Sequence, residues 1–246
     1  MSKEGFDNEK RIVNNLNNQR FTDLNNNLKE FVRDLFPEIN NEEIICASCD
    51  GGQNKSDLLI WTNTNLKDKK RISVKRGSGN SVHQEPIEGF IKYLDNNYSV
   101  NIQIKNDLRF FIWGDYTFNG LGKKEDRMSS IEISNKFPDL INRISLFMDK
   151  NKIKLIERFV IKGPKSKSSP DFIYYGDEKK GYWGKSKQVL KMLSKKTSNS
   201  AVPIGGLTFQ AWNRAIKEGS SSEHKRGVIQ LKWPSIKEDL KRIMKK

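Results

Sequence analysis

Asp57, Ser73, Lys75 and Glu88 are the residues whose types and spacing suggest chemistry. Two carboxylates beside a lysine are what magnesium-assisted phosphodiester hydrolysis requires. The cation prefers hard oxygen ligands, two acids and a backbone carbonyl suffice to hold it, and a lysine can orient the attacking water or stabilise charge in the transition state. Lys75 takes that role in this reading.

The elements that must position these groups follow from patterning. Asp57 opens the apolar run Leu58-Leu59-Ile60-Trp61, a short buried strand. A polar turn is expected over 63–70. Arg71-Ile72-Ser73-Val74-Lys75-Arg76 then alternates, so a strand sends Ile72 and Val74 into a core and Ser73 and Lys75 to the opposite face. Gly77-Ser78-Gly79-Asn80 ends it. Pro86 suits a first helical turn, and Ile87, Phe90, Ile91 and Leu94 repeat at helical spacing, predicting an amphipathic helix from near Glu85. Glu85 and Glu88 share one face close to its start. Taken alone, Asp57, Lys75 and Glu88 also fit a turn residue, an edge-strand charge and a solvated helical acid.

The pattern resembles the PD-(D/E)XK nuclease superfamily, whose motif is an acid at the start of one strand and acid-X-Lys on the next. Here Asp57 is followed after fifteen residues by Ser73-Val74-Lys75. Ser73 departs from the usual acid, and Ser56 stands where the motif has proline. The resemblance to a branch of restriction endonucleases that carries this serine implies an acid migrated to the following helix, at Glu88. It further implies metal binding by Asp57, Glu88 and the Val74 carbonyl, with Glu85, and Glu30 on a first helix over 21–36, as further candidates. With a strand near 43–48, the order helix, three strands, helix over residues 20–100 matches the superfamily's core. The expected fold is therefore α/β (mixed α+β), a restriction-endonuclease-like core of a central mixed sheet flanked by helices, with a basic strand-rich C-terminal region.

Charge points independently to a polyanion. Formal net charge is +15, and it is unevenly spread: residues 1–60 hold 7 basic and 11 acidic residues, 61–150 hold 15 and 11, and 151–246 hold 23 and 8. This asymmetry suggests a catalytic core with a helical extension, 1–157, and a basic DNA-recognition region, 158–246. Short aromatic runs at 159–161, 172–175, 181–183 and 228–233 read as strands, and 102–113 and 131–148 as helices. Lys185 and Lys187 are candidates for phosphate contacts. Asn80, Ser81, His83 and Gln84 beside the metal, and Gln210, Asn213, Arg214, Arg226, Gln230 and Lys232 further on, are candidates for reading base edges. Asp171 with Gln230-Leu231-Lys232 forms a weaker rival to the metal motif.

Other classes find little support. Cys46 and Cys49 form a lone CxxC, and with His83 and His224 as the only histidines neither a zinc site nor Ser-His catalysis can be assembled. No P-loop motif occurs, no apolar run approaches a membrane span, and the first residues lack a signal peptide's hydrophobic stretch, so a cytoplasmic protein is expected. The expectation is a Type II restriction endonuclease, a homodimer making magnesium-dependent double-strand cuts at a short site in double-stranded DNA. A superfamily nuclease of repair, recombination or transposition, and a non-catalytic DNA-binding protein, are the alternatives.

Overall fold

The computed structural model describes residues 3–50 (side chains from Gly5 onward), 54–77, 80–164, 168–217 and 222–245. The chain divides into two compact units that interleave in sequence. Unit 1 takes residues 1–80, 157–192 and 235–246, and unit 2 takes 81–156 and 193–234. The division does not fall at 157/158. The basic C-terminal third is shared between the units, because sequence position alone cannot show which strand returns to which sheet.

Unit 1 is built on a six-stranded mixed sheet in the order β1 (Gln19–Arg20), β2 (Ile44–Cys49), β3 (Leu58–Thr62), β4 (Asn65–Lys75), β6 (Phe172–Gly176), β7 (Gly181–Lys185). All neighbours are antiparallel except β4 and β6, which run parallel with Ile72 opposite Phe172 and Lys75 opposite Tyr175. Helices α1 (Lys3–Leu16), α2 (Asn26–Leu35), most of α8 (Ser186–Ser194) and α9 (Ile236–Met244) complete the unit. Its core joins Ile12 and Leu16 of α1, Leu28, Phe31, Val32 and Leu35 of α2, and the strand residues Ile45, Leu58, Ile60, Ile72, Val74, Phe172, Tyr174 and Trp183. Phe31 lies within 4.8 Å of the Tyr174 ring and 5.1 Å of Trp183. The polar tips are satisfied as burial demands: Trp183 Nε1 donates to Asp34 at 2.7 Å and Tyr174 Oη to the Asp177 carbonyl at 2.6 Å. Asn25 caps α2 by accepting from the Leu28 amide.

Unit 2 carries an antiparallel sheet in the order β5 (Ser81–Pro86), β10 (Val228–Lys232), β9 (Leu207–Ala211), β8 (Pro203–Ile204). Its helices are α3 (Ile87–Asn97), α4 (Ile102–Trp113), α5 (Ser130–Lys136), α6 (Pro138–Lys150) and α7 (Lys152–Ile156). Phe90 and Phe111 pack on Phe209 at ring distances of 5.7 and 6.2 Å.

Several local expectations are corrected. The polar stretch 63–70 is mostly strand, with only Asn63-Thr64 between Thr62 and its partner Asn65. These residues form the solvated half of a hairpin, which needs no apolar pattern, and Lys69 lies 4.6 Å above the Trp61 ring. The segment leading to α3 is a strand rather than a loop, because β10, some 140 residues later, pairs with it. Residues 159–161 lie in a π-helical turn, Glu157–Lys162; their apolar run resembles a strand, but they are the buried side of a helix. Pro138 splits the expected helix over 131–148 into α5 and α6, occupying the first position of the second.

Candidate active site

At the end of the β3–β4 pair, Asp57 accepts three hydrogen bonds on one oxygen: from Ser73 Oγ at 3.1 Å, the Val74 amide at 2.6 Å and Lys75 Nζ at 3.2 Å. Its own amide donates to the Ile72 carbonyl at 2.7 Å, so the carboxylate is registered to β4 by main chain as well as side chain. Lys75 Nζ also donates to Ser73 Oγ and to the Val74 carbonyl, both at 2.8 Å. Three oxygens from Asp57, Ser73 and Val74 thus surround one ammonium within 3.2 Å. The alternation predicted for β4 holds, since Ile72 and Val74 enter the core on the face opposite this cluster.

A further carboxylate, which the sequence reading missed, feels the charges of this cluster. Glu9 on α1 is 6% exposed. Burial, reinforced by the charge of Asp57 and opposed by that of Lys75, raises its pKa from 4.5 to about 7. The same two carboxylates, after burial itself, help raise the Cys49 thiol. Neighbouring Asn8, fully buried, fixes α1 to the sheet by donating to the Gly176 carbonyl at 2.9 Å and accepting from Arg76 at 3.2 Å. A signal was present: Glu9, Ile12, Val13 and Leu16 recur at i, i+3, i+4 and i+7, so a carboxylate occupies the first position of an apolar stripe.

The acids expected from the following helix fall in unit 2 and are otherwise engaged. Glu88 accepts two 2.7 Å bonds from Arg109, which lower its pKa. Glu85 lies 2.9 Å from His83 Nε2 within the sheet. Glu30 is exposed on α2. Of the rival pair, Asp171 lies in unit 1, where it accepts from the Arg71 amide at 2.8 Å, and Gln230 lies in unit 2. Among the described residues no group of three or more His, Cys, Asp or Glu side chains is placed to hold a metal ion.

A comparison with solved structures now bears on this geometry. The chain superposes on the restriction endonuclease MspI, from a crystal structure with its cognate DNA, with a TM-score of 0.52 over 83% of this chain and 76% of that one, at 13% sequence identity. The fold is restriction-endonuclease-like. No sequence-family profile matches the chain, and no curated protein matches it in sequence. The likeness is therefore one of fold alone. No helix among the described residues is long and apolar enough to cross a membrane.

The candidates for reading DNA separate into two groups. Gln84, Gln230 and Gln210 stand opposite one another on β5, β10 and β9, so their side chains share one face; Gln230 is buried between the other two and accepts from Gln210 at 3.1 Å. Ser81 and Lys232 form the adjoining row. Arg214 and Arg226, by contrast, are spent inside unit 2. Arg214 donates to the Phe111 carbonyl and to Ser130 at 3.0 Å, and burial lowers its pKa to about 10. Arg226 donates to Asp115 at 2.8 Å. His83 is buried beside Glu85, and Asn213 is held by Ser222 and by the Ala215 amide. Asn80 has a positive φ of 46° at the entry to β5. Ser78 and Gly79 lie outside the described residues. Lys185 pairs with Phe172, which stands beside Ile72 of β4, and Lys185 and Lys187 line a 620 Å³ groove of unit 1.

Proposed function

We propose that the chain is a magnesium-dependent DNA endonuclease, and that Asp57, Lys75 and Glu9 form its catalytic site. The observation that carries the reading is the convergence of Asp57, Ser73, the Val74 carbonyl and Lys75 on one strand pair of a restriction-endonuclease-like sheet. The donor set suits the metal: the atoms already gathered around an ammonium are hard oxygens. Asp57, Glu9 and the Val74 carbonyl would hold magnesium, which when bound neutralises the scissile phosphate and lowers the pKa of water.

The chain's own groups divide the remaining work. Ser73 supplies no charge, so Glu9 takes the place of the missing strand acid. Glu88 does not, because its carboxylate is neutralised by Arg109. Lys75 orients the attacking water and stabilises the pentacovalent phosphate. The net charge of +15 supplies sequence-independent affinity for the duplex. Gln84 and Gln210, with Ser81 and Lys232, offer amides, a hydroxyl and an ammonium suited to base edges, supporting cleavage at a defined sequence as in a Type II restriction enzyme acting as a homodimer.

Incubating supercoiled plasmid with the purified protein and magnesium tests this. Discrete linear fragments are expected, with none from Asp57→Ala or Lys75→Ala, while both variants still bind DNA in calcium. Binding by the native chain without any cut in magnesium would leave a non-catalytic DNA-binding protein, and undirected nicking would remove the sequence-specific role.

A further inference from the structure

Unit 2 exposes an apolar surface that the catalytic reading does not use. The loop between α4 and α5 closes where the Met128 amide donates to the Gly114 carbonyl at 2.7 Å. Within it, Asp115 is buried and accepts from Thr117 Oγ1 at 2.7 Å and from Arg226 at 2.8 Å. Thr117 Oγ1 accepts from the Gly120 amide, and Arg226 donates to the Gly120 carbonyl. Gly120, at φ +78°, lies so close to Trp113 that a Cβ would meet its ring at 2.3 Å.

This well-anchored backbone turns apolar side chains outward. Tyr116 adopts φ +62°, a conformation costly for a bulky residue, and remains 49% exposed, with Phe118 at 50% and Leu121 at 83%. Phe110 of α4 contacts Tyr116, Phe118 and Phe137 at ring distances of 6.1, 6.4 and 4.9 Å, so four aromatic rings form one continuous surface. Strain retained in order to display apolar groups to water indicates a surface that is covered in the working protein.

Charge identifies what covers it. In a chain of +15, two copies repel over most of their surface and no polyanion would select a neutral region. Apart from buried Asp115, which Arg226 neutralises, the segment 115–139 that frames the rings holds four basic residues (Lys123, Lys124, Arg127, Lys136) and four acidic ones (Glu125, Asp126, Glu132, Asp139), a net of zero. An aromatic centre with a rim of both signs is self-complementary under a twofold axis and matches the anatomy of protein interfaces.

We propose that this aromatic patch is where a second copy of the chain docks, forming an isologous dimer. The inference is independent of the catalytic reading. The rigid loop lowers the ordering cost of association.

Sedimentation velocity over a concentration series tests it. A monomer–dimer equilibrium is expected for the native chain. Phe118→Glu and Leu121→Glu should each weaken it about a hundredfold, since a tenfold loss at each of two related contacts acts twice. Leu146→Glu, at an equally exposed leucine two turns along α6 from Asp139, should leave it unchanged. Native thermal unfolding of the variants confirms that they fold. A native chain that stays monomeric at high micromolar concentration, or dimerisation equal in all variants, overturns the proposal. Unaltered self-association with weakened DNA binding also overturns it, and assigns the patch to nucleic acid.

Discussion

Replacing Glu9 by glutamine should make the metal-free protein more stable and catalytically dead. The carboxyl's pKa rises from 4.5 to about 7 on folding, through burial first and then the charge of Asp57. The folded state thus holds this proton more tightly than the unfolded one. The protonated form's relative stability is fully present below pH 4.5 and is lost as pH rises through about 7. At about 1.4 kcal/mol per pH unit, the ionised carboxylate costs the native fold about 3 kcal/mol at pH 8. Glu9→Gln keeps the shape without the charge. Urea unfolding at pH 5 and pH 8 should show the variant's advantage small at the first and about 3 kcal/mol larger at the second. Magnesium at pH 8 should stabilise the native chain and hardly affect the variant, because a ligand stabilises only the state that binds it. An advantage equal at both pH values, or plasmid cleavage by Glu9→Gln at the native rate, would refute the reasoning.

Glu88→Ala should cleave plasmid at near the native rate. Arg109→Ala should cost no more than about 1 kcal/mol in urea unfolding, since Glu88 is largely solvated; that contribution, from a carboxylate whose pKa is lowered, is present at neutral pH and fades as pH falls below the ordinary glutamate range. Arg214→Ala should lower stability by about 3 kcal/mol or more, leaving the Phe111 carbonyl without its donor and a cavity beneath the Phe111 ring, with any loss of cleavage following the unfolded fraction. Gln84→Ala should relax the preferred cleavage sequence at a cost of about 1–3 kcal/mol in discrimination, whereas Lys187→Ala should leave both sequence preference and turnover unchanged; fragment sequencing distinguishes them.

What the sequence made legible was local. The Asp57-to-Lys75 hairpin was readable because its two strands are adjacent and each carries a period-two or continuous apolar pattern. For Glu88, a short spacing after Lys75 says nothing about where α3 goes once Pro86 ends β5, nor that Arg109 engages its carboxylate. Glu9 was overlooked because it lies 48 residues before Asp57 and only the packing of α1 brings it into Asp57's electrostatic field. Arg214 and Arg226 have the chemistry of DNA-reading residues, and only the positions of the Phe111 carbonyl and Asp115 show that their guanidinium ends are held within unit 2. Pairings such as β5 with β10 and β4 with β6 depend on contacts across 100 residues or more, which periodicity cannot specify.

The parallel pairing of β4 with β6 also sets when the sheet that carries Asp57, Ser73 and Lys75 can be completed during synthesis. Asp57, Ser73 and Lys75 leave the ribosome early, but β4 keeps an open edge until residues 172–175 emerge, and the chain between contains most of another folding unit. Loop-closure cost makes such a long-range strand pairing slow. A nascent chain therefore carries Asp57, Ser73 and Lys75 on an unfinished sheet for about a hundred residues of translation, which makes the edge of β4 the segment most in need of protection from aggregation while it waits.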